Sequence, residues 1–293
     1  MCSLAEVSRA SYYRHLQVVA PDEEEMAVRQ AIHEIVLAHH RRYGKLRVTE
    51  DLHRRGMIVN HKRVQRIMRE DNLLAIRHRK YILTTDSQHD CQVHLNLAAR
   101  MTLTGVNQLW VADITYIRLR AEFVYLAVVI DRFSRKAVGW ALDRTLAARI
   151  TVAALQQAIS RRQPPPGLVH HSDRGIQYAC TDYVEALKTN AIIPSMSRPA
   201  NPYDNAVCES FMKTLKQEEI YCNRYRDFQE LSDHLEEFID HYYNRLRLHS
   251  ALGYRTPEEF EHDAAGAATS GGVQDAATLR YFTPPHQEVP ATS

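Results

Sequence analysis

Three acids in this 293-residue sequence occupy places where a bare carboxylate is either hard to accommodate or easy to put to work. Asp113 interrupts the β-rich, largely apolar stretch Trp110-Val111-Ala112-Asp113-Ile114-Thr115-Tyr116. Asp173 closes the polar cluster His170-His171-Ser172-Asp173-Arg174-Gly175, directly after a short apolar run, where open α/β sheets place their ligands. Glu209 lies in Asn201-Pro202-Tyr203-Asp204-Asn205-Ala206-Val207-Cys208-Glu209-Ser210-Phe211, a segment with helical spacing that Asp204 or Asn201 can cap. A carboxylate in a strand that favours burial is costly unless a cation, a proton or hydrogen bonds neutralise it. Three oxygen-donor acids without a Cys or His cluster suit Mg²⁺ or Mn²⁺, hard ions that keep several waters and accept phosphate oxygens as remaining ligands. Plainer readings exist for each acid alone. Asp113 can be satisfied within the fold, Asp173 can be ordinary turn chemistry, and Asn205, Glu209, Lys213 and Lys216 can form a surface ion-pair row on one helix face. The joint spacing, with 59 residues between the aspartates and 35 between Asp173 and Glu209, favours a shared site.

The elements that must position these acids can be read from periodicity. Leu109 to Leu119, Phe123 to Ile130 and Lys136 to Leu142 are closely spaced strand patterns, as in an antiparallel meander. A helix from about Ala147 to Arg161, a Pro164-Pro165-Pro166-Gly167 break and a short strand at Leu168 to His171 follow. A helix near Thr181 to Asn190 and a strand at Ile192-Ile193 come next, then helices at about Asp204 to Ile220 and Phe228 to Tyr243. Strands that begin as hairpins and end as strand-helix units imply an α/β fold with a mixed sheet covered by helices.

Upstream lies a different composition. Net charge is +2, yet residues 41 to 80 hold 13 Lys and Arg against 4 Asp and Glu. Such a concentration fits a polyanion-binding segment, since cationic side chains gain affinity by displacing counterions from phosphate, though a solvated basic surface has the same composition. Glu23 to about Arg42 reads as a helix, broken at Tyr43-Gly44. A short helix capped by Thr49 and stopped at Gly56 follows, and then one from Asn60 to about Glu70 that buries Val64, Ile67 and Met68. Two short helices around a tight turn suggest helix-turn-helix, with Lys62, Arg63, Arg66 and Arg69 as candidate DNA contacts; a plain helical bundle fits the same pattern. Residues 72 to 106 lack sustained periodicity and read as a connector with one short strand at most. The expected organisation is an N-terminal segment (1–22), a small all-α unit (23–80), a connector (81–106), the α/β unit (107–260) and a tail (261–293) whose Ala, Gly, Ser, Thr and Pro content predicts disorder.

No apolar run approaches the ~18 residues of a membrane span, and the N-terminus lacks an apolar signal core. The five cysteines form no CxxC pair and fall into no zinc-finger spacing with the sixteen histidines. A soluble, unsecreted protein without a zinc site is expected.

Trp110 to Tyr116, His171 to Tyr178 and Asn201 to Glu209, with the spacing above, resemble the DDE catalytic domain of retroviral-integrase-type transposases, and in particular the second reading-frame product of the IS3 insertion-sequence family. The pattern continues in Tyr125 to Val138, Ser195-Met196-Ser197-Arg198, Phe211 to Lys216, Tyr242-Tyr243-Asn244, Arg247-Leu248-His249, Leu252-Gly253-Tyr254 and Thr256-Pro257. Tyr43 to Lys80 is similar to the helix-turn-helix that precedes the catalytic domain in these proteins. The resemblance covers about residues 9 to 260 and implies a ribonuclease-H-like, five-stranded mixed sheet flanked by helices.

It also implies that Asp113, Asp173 and Glu209 are the catalytic, metal-holding triad, with two Mg²⁺ (or Mn²⁺) ions per site. Lys213 and Lys216 match positions that approach the DNA end, and Arg174 is a candidate phosphate contact. Asp131, Ser134, Arg135, Asp204 and Asn205 match recurring positions read here as turn, capping or orientation residues. The implied activity is cleavage and strand transfer at element ends in DNA integration, with terminal inverted repeats and target DNA as partners. A homo-multimer on DNA, an upstream reading-frame product or fusion to it, and a bacterial cytosolic, nucleoid-associated location are also implied. Two alternatives remain: an inert DNA-binding relic or regulator, and a ribonuclease-H-like nuclease that does not join strands.

Overall fold

A computed structural model of the chain describes residues 23–75, 94–98, 101–120, 122–173, 175–197 and 205–269. The N-terminal unit is three helices, α1 (Glu23–Ala38), α2 (Lys45–Arg54) and α3 (His61–Glu70). α1 buries Val28, Ala31, Ile32, Ile35 and Val36, the three-to-four spacing that gives a helix one apolar stripe. It ends at Ala38, short of Arg42, where His40 and Arg41 adopt positive φ of 49° and 58°. α2 begins at Lys45 behind Gly44, earlier than Thr49 as a cap would have it. Thr49 instead sits inside the helix, its hydroxyl donating to Lys45 O at 2.8 Å, because a threonine four residues into a helix can bond back to the preceding turn. Gly56, with φ 81°, stops α2, and Asn60 caps α3 by accepting from Lys62 N at 2.8 Å.

The α/β unit is one five-stranded sheet with strands β1 (Leu109–Arg118), β2 (Phe123–Asp131), β3 (Ala137–Asp143), β4 (Val169–Ser172) and β5 (Ile193–Met196) in the order β3-β2-β1-β4-β5. β1, β2 and β3 are antiparallel, with Asp113 opposite Val128, whereas β4 runs parallel to β1 and β5 parallel to β4. This is the ribonuclease-H-like arrangement expected. β5 runs on to Met196, beyond Ile193, because Pro194, Ser195 and Met196 pair with His170, His171 and Ser172. Asp131 closes the β2–β3 turn, its buried carboxylate accepting from Asn107 N (2.7 Å), Phe133 N (2.9 Å) and Ser134 N (3.2 Å).

Alternation along β1 divides two apolar layers. Leu109, Val111 and Ile117 pack with α6 (Ala206–Leu215) and α7 (Phe228–Glu236), while Trp110 and Ala112 pack with α4 (Ala148–Arg162) and α5 (Thr181–Thr189). α6 continues into a π-helical turn, Lys216–Ile220, and α7 into a π-helical segment, Glu237–Leu246. α4 approaches β3 closely at Gly139, where an added Cβ would lie 2.3 Å from Ala154 O and 2.7 Å from Ala158 N. Gly139→Ala is therefore expected to lower stability by about 1–3 kcal/mol through overpacking. An unchanged urea midpoint would show that α4 lifts off the strand at no cost.

One expectation is corrected. The tail boundary at residue 261 falls inside α8 (Pro257–Thr269), whose Glu261 binds Arg162 through both guanidinium nitrogens at 2.8 Å. Among the described residues of the connector, 94–98 and 101–106, there is no strand.

The helical unit does not hang from a free linker. Tyr43 OH donates to Leu246 O (3.2 Å) and accepts from Leu248 N (3.0 Å). Arg42 binds Glu219 (2.6 Å), and Arg47 binds Leu248 O (3.0 Å) and Glu218 (3.3 Å). Apolar residues of α1 to α3 and of α6 and α7 share one buried cluster.

Candidate active site

The site forms where two strands part. β1 pairs with β4 only through Leu109–Val111 against Val169–His171, so the C-terminal half of β1 has no β4 residue opposite it. Asp113 stands two residues beyond the last pair on β1, and Asp173 two residues beyond it on the chain leaving β4. Buried polar contacts hold this end of the sheet in register. His171 lies between Ser195 Oγ (2.9 Å) and Ser197 Oγ (3.0 Å), and His170 Nε2 meets Tyr183 OH at 3.0 Å. Burial depresses the His170 imidazole to about 3, so it is neutral. Sequence reading saw these histidines only as part of a polar cluster; their appearance inside an apolar strand was the signal of a buried network.

Asp173 accepts from Gly175 N at 2.9 Å, a local turn that fixes its carboxylate. Glu209 is exposed in the first turn of α6, a helix anchored through Cys208, Phe211, Met212 and Leu215. Asn205 begins that helix, and its Nδ2 donates to Ala112 O at 3.2 Å, beside Asp113.

Burial pushes the Asp113 carboxyl up to about 7; the Asp173 charge adds to the rise and Glu209 adds less, while the hydrogen bond from Ile114 N and the Lys216 ammonium oppose it. Lys216 is half-buried, with Nζ 5.4 Å from the Tyr116 ring centroid, and burial lowers its pKa against the pull of Asp113. The three acids and Lys216 thus share one electrostatic neighbourhood. Among the described residues, no group of three or more His, Cys, Asp or Glu side chains is drawn to metal-holding geometry. The donor set nonetheless fits a hard divalent cation in its chemistry: carboxylate oxygens alone, with like charges crowding a desolvated acid.

A sign follows for pH. Asp113 in the folded chain titrates far above the ordinary carboxylate value of 3.8, so the folded state holds a proton that the unfolded state loses between about pH 4 and 7. In chelator, stability should fall as pH rises through that window. Asp113→Asn should therefore be more stable than wild type at pH 8 by roughly 2–4 kcal/mol, with the gap closing near pH 4. Urea unfolding at both values checks this; a gap that does not depend on pH contradicts it.

The expected DNA contacts are dispersed. Lys213 is exposed on α6, and Lys62 and Arg69 are exposed on α3. Arg63 and Arg66 are engaged within the helical unit: Arg63 binds Glu24 (2.8 Å), and Arg66 binds Glu25 (3.1 Å) and Glu70 (3.0 Å). Glu24 and Glu25 lie some forty residues upstream, out of reach of helix-face reasoning, whereas Glu70 is an i,i+4 neighbour of Arg66. Arg174, Asn201 and Asp204 lie outside the described residues.

Residues 104–202 match the profile of an integrase core domain, 190–257 match a second profile of the same description, and 22–81 match an HTH-like domain. The chain is 37% identical over 264 residues to the insertion element IS600 uncharacterized 31 kDa protein of Shigella sonnei, covering 89% of this chain and 97% of that one. It is 38% identical to the transposase for insertion sequence element IS904 of Lactococcus lactis (76% and 88% covered). To transposase InsF for insertion sequence IS3A of Escherichia coli K12 it is 35% identical (89% and 93% covered). Among solved structures, the simian T-cell lymphotropic virus intasome in complex with a PP2A regulatory subunit aligns with TM-score 0.47 and 17% identity, covering 90% of this chain and 80% of that chain.

Proposed function

This chain belongs to the IS3-type insertion-sequence transposases, DNA-cutting and strand-transfer enzymes with an integrase core, and from that membership we propose that Asp113, Asp173 and Glu209 carry its chemistry. The observation that supports the assignment is the Asp113 carboxyl, raised to about 7 by burial and by the other two acids at the split between β1 and β4. A desolvated acid crowded by like charges is poised to accept a cation, and sheet splits of this kind place ligands beyond the strand ends. When bound, two Mg²⁺ or Mn²⁺ ions would supply Lewis acidity at the attacking and leaving oxygens of an in-line phosphoryl transfer.

In this reading the carboxylates of Asp113, Asp173 and Glu209 would together hold the ions. Water or a DNA 3′-hydroxyl attacks phosphorus and loses its proton to solvent, and the bond to the leaving 3′-oxygen breaks as that oxygen takes a proton from solvent. No protein side chain is esterified. Lys216, its ammonium held beside Tyr116 and within the field of Asp113, contacts the phosphate of the bound DNA end. Lys213 contacts the same strand further out, and Arg174 is the further candidate phosphate contact. The basic helical unit binds DNA outside the reacting phosphate, with Lys62 and Arg69 exposed on α3 and, among the described residues, outside the ion pairs that occupy Arg63 and Arg66. The partners are the element's terminal inverted repeats and target DNA, bound by a multimer of this chain in the bacterial cytosol, with an upstream reading-frame product or fusion to it aiding end recognition.

The test is a strand-joining assay with labelled duplexes bearing the element's ends in Mg²⁺. Wild type is expected to join them to a target and Asp173→Ala is not. Cleavage without joining would support the nuclease alternative, DNA binding with neither reaction would support the inert regulator, and joining retained by Asp173→Ala would remove Asp173 from the chemistry.

A further inference from the structure

Asn205 occupies the N-cap of α6, a position where asparagine ordinarily bonds the helix's own second or third amide. Here it does not: the Asn205 side chain makes no cap hydrogen bond. Its Nδ2 instead crosses to β1 and donates to Ala112 O at 3.2 Å. In the parallel β1–β4 ladder, Val169 N donates to Gln108 O at 3.0 Å, and carbonyls accept at every second residue. That places Trp110 O next and Ala112 O after it, just past the last pair, Val111 with His171. Asn205 therefore grips β1 at the point where pairing with β4 has ended, one residue before Asp113. Glu209 follows one helical turn later on the same face of α6. The other end of the amide is also informative: Asn205 Oδ1 is buried and has no hydrogen-bond partner among the described residues. A buried acceptor without a donor costs about 1–3 kcal/mol, and such groups mark places where a ligand or water completes the site.

We propose that Asn205 is a positioning residue of the active site, its Nδ2 fixing the strand that bears Asp113 to the helix that bears Glu209, and its Oδ1 accepting from a water bound to the divalent cation. The proposal rests on the triad reading above. An outer-sphere amide of this kind orients both a carboxylate and a water, and its loss weakens metal binding while every carboxylate remains.

Two variants separate positioning from helix stability. Asn205→Ser keeps a residue suited to the N-cap yet is too short to reach Ala112 O, and Asn205→Ala removes the amide and leaves no group that could cap the helix. Mn²⁺ binding to the full chain, followed by calorimetry or by paramagnetic resonance of free Mn²⁺, is the readout besides activity. Both variants are expected to bind Mn²⁺ at least about tenfold more weakly, with DNA affinity unchanged and strand joining partly restored by raising Mn²⁺. For Asn205→Ser the unfolding midpoint should stay near that of wild type. Wild-type Mn²⁺ affinity in a folded Asn205→Ser protein would overturn the proposal, as would a loss of affinity that only tracks a loss of fold in both variants. Asp113→Asn and Asp173→Ala run alongside. If they too bind Mn²⁺ as wild type does, the triad reading fails; if they lose Mn²⁺ while Asn205→Ser keeps it, only the role of Asn205 falls.

Discussion

Asp113→Asn, Asp173→Ala and Glu209→Gln are each expected to reduce strand joining by on the order of 10³-fold or more, while binding of the same DNA stays within about twofold. The size follows from the number of charges involved. Each carboxylate in the proposed site offsets charge on a cation that itself stabilises a phosphorane-like transition state, and the loss of one well-placed electrostatic contact alone costs about 10²–10³ in rate. DNA affinity should hold because it comes from cationic side chains and counterion release, to which the acids contribute only repulsion. For Asp113 the expectation has a second part. The Asn variant should lose activity and gain stability in chelator above neutral pH, because its replacement removes a desolvated charge set beside Asp173 and Glu209. Loss of activity together with loss of fold would instead mark Asp113 as a structural acid.

The second large effect concerns how the two units are joined. Arg247 is buried, and its guanidinium binds Glu218 through Nε (2.8 Å) and Nη2 (2.7 Å), with Arg47 of α2 reaching the same carboxylate at 3.3 Å. Glu218 lies in the π-helical turn that continues α6, two residues after Lys216. Removing one partner of a buried pair is costly, and Arg247→Ala leaves Glu218 with the longer Arg47 contact in place of the fork, so it should cost about 3 kcal/mol. Replacing both partners, as Arg247→Met with Glu218→Leu, should recover part of that stability, since apolar residues of similar volume can match a buried ion pair, while Arg47 loses its Glu218 partner and keeps the bond to Leu248 O. Urea unfolding of the three proteins decides it. A single variant within about 0.5 kcal/mol of wild type would mean that water already reaches the pair.

Much of the α/β unit was legible because its elements carry their own periodicity. The apolar run of β2 marks a strand buried on both faces, and the alternation of β1 assigns its odd and even residues to the two layers seen here. The acids were legible because Asp113 breaks such an alternation and Asp173 follows a strand end. What escaped depends on partners far away in the chain. α2 starts at Lys45 because Val48 and Leu52 are buried and Thr49 bonds backwards, which overrides its capping preference. Arg63 and Arg66 face Glu24 and Glu25 rather than open solvent, so a basic stripe on a helix was partly an internal ion-pair face. The docking of the helical unit on α6 and α7 through Arg42, Tyr43 and Arg47 was invisible, since no local pattern encodes contacts across some two hundred residues. The helix through residue 269 was missed because an Ala-rich segment has the composition of a tail, while Glu258, Glu259 and Glu261 anchor its start to Lys136, Arg54 and Arg162.

In the mechanism proposed above, three acids at the parting of β1 and β4 drive a single in-line displacement on phosphorus. The stereochemical course of strand joining tests it most directly, using a target with a phosphorothioate of known configuration at the joined position. One displacement inverts the phosphorus centre, and inversion is the result expected. Retention requires two displacements through a covalent enzyme–DNA intermediate, and would contradict a mechanism in which these carboxylates act without any side chain becoming esterified.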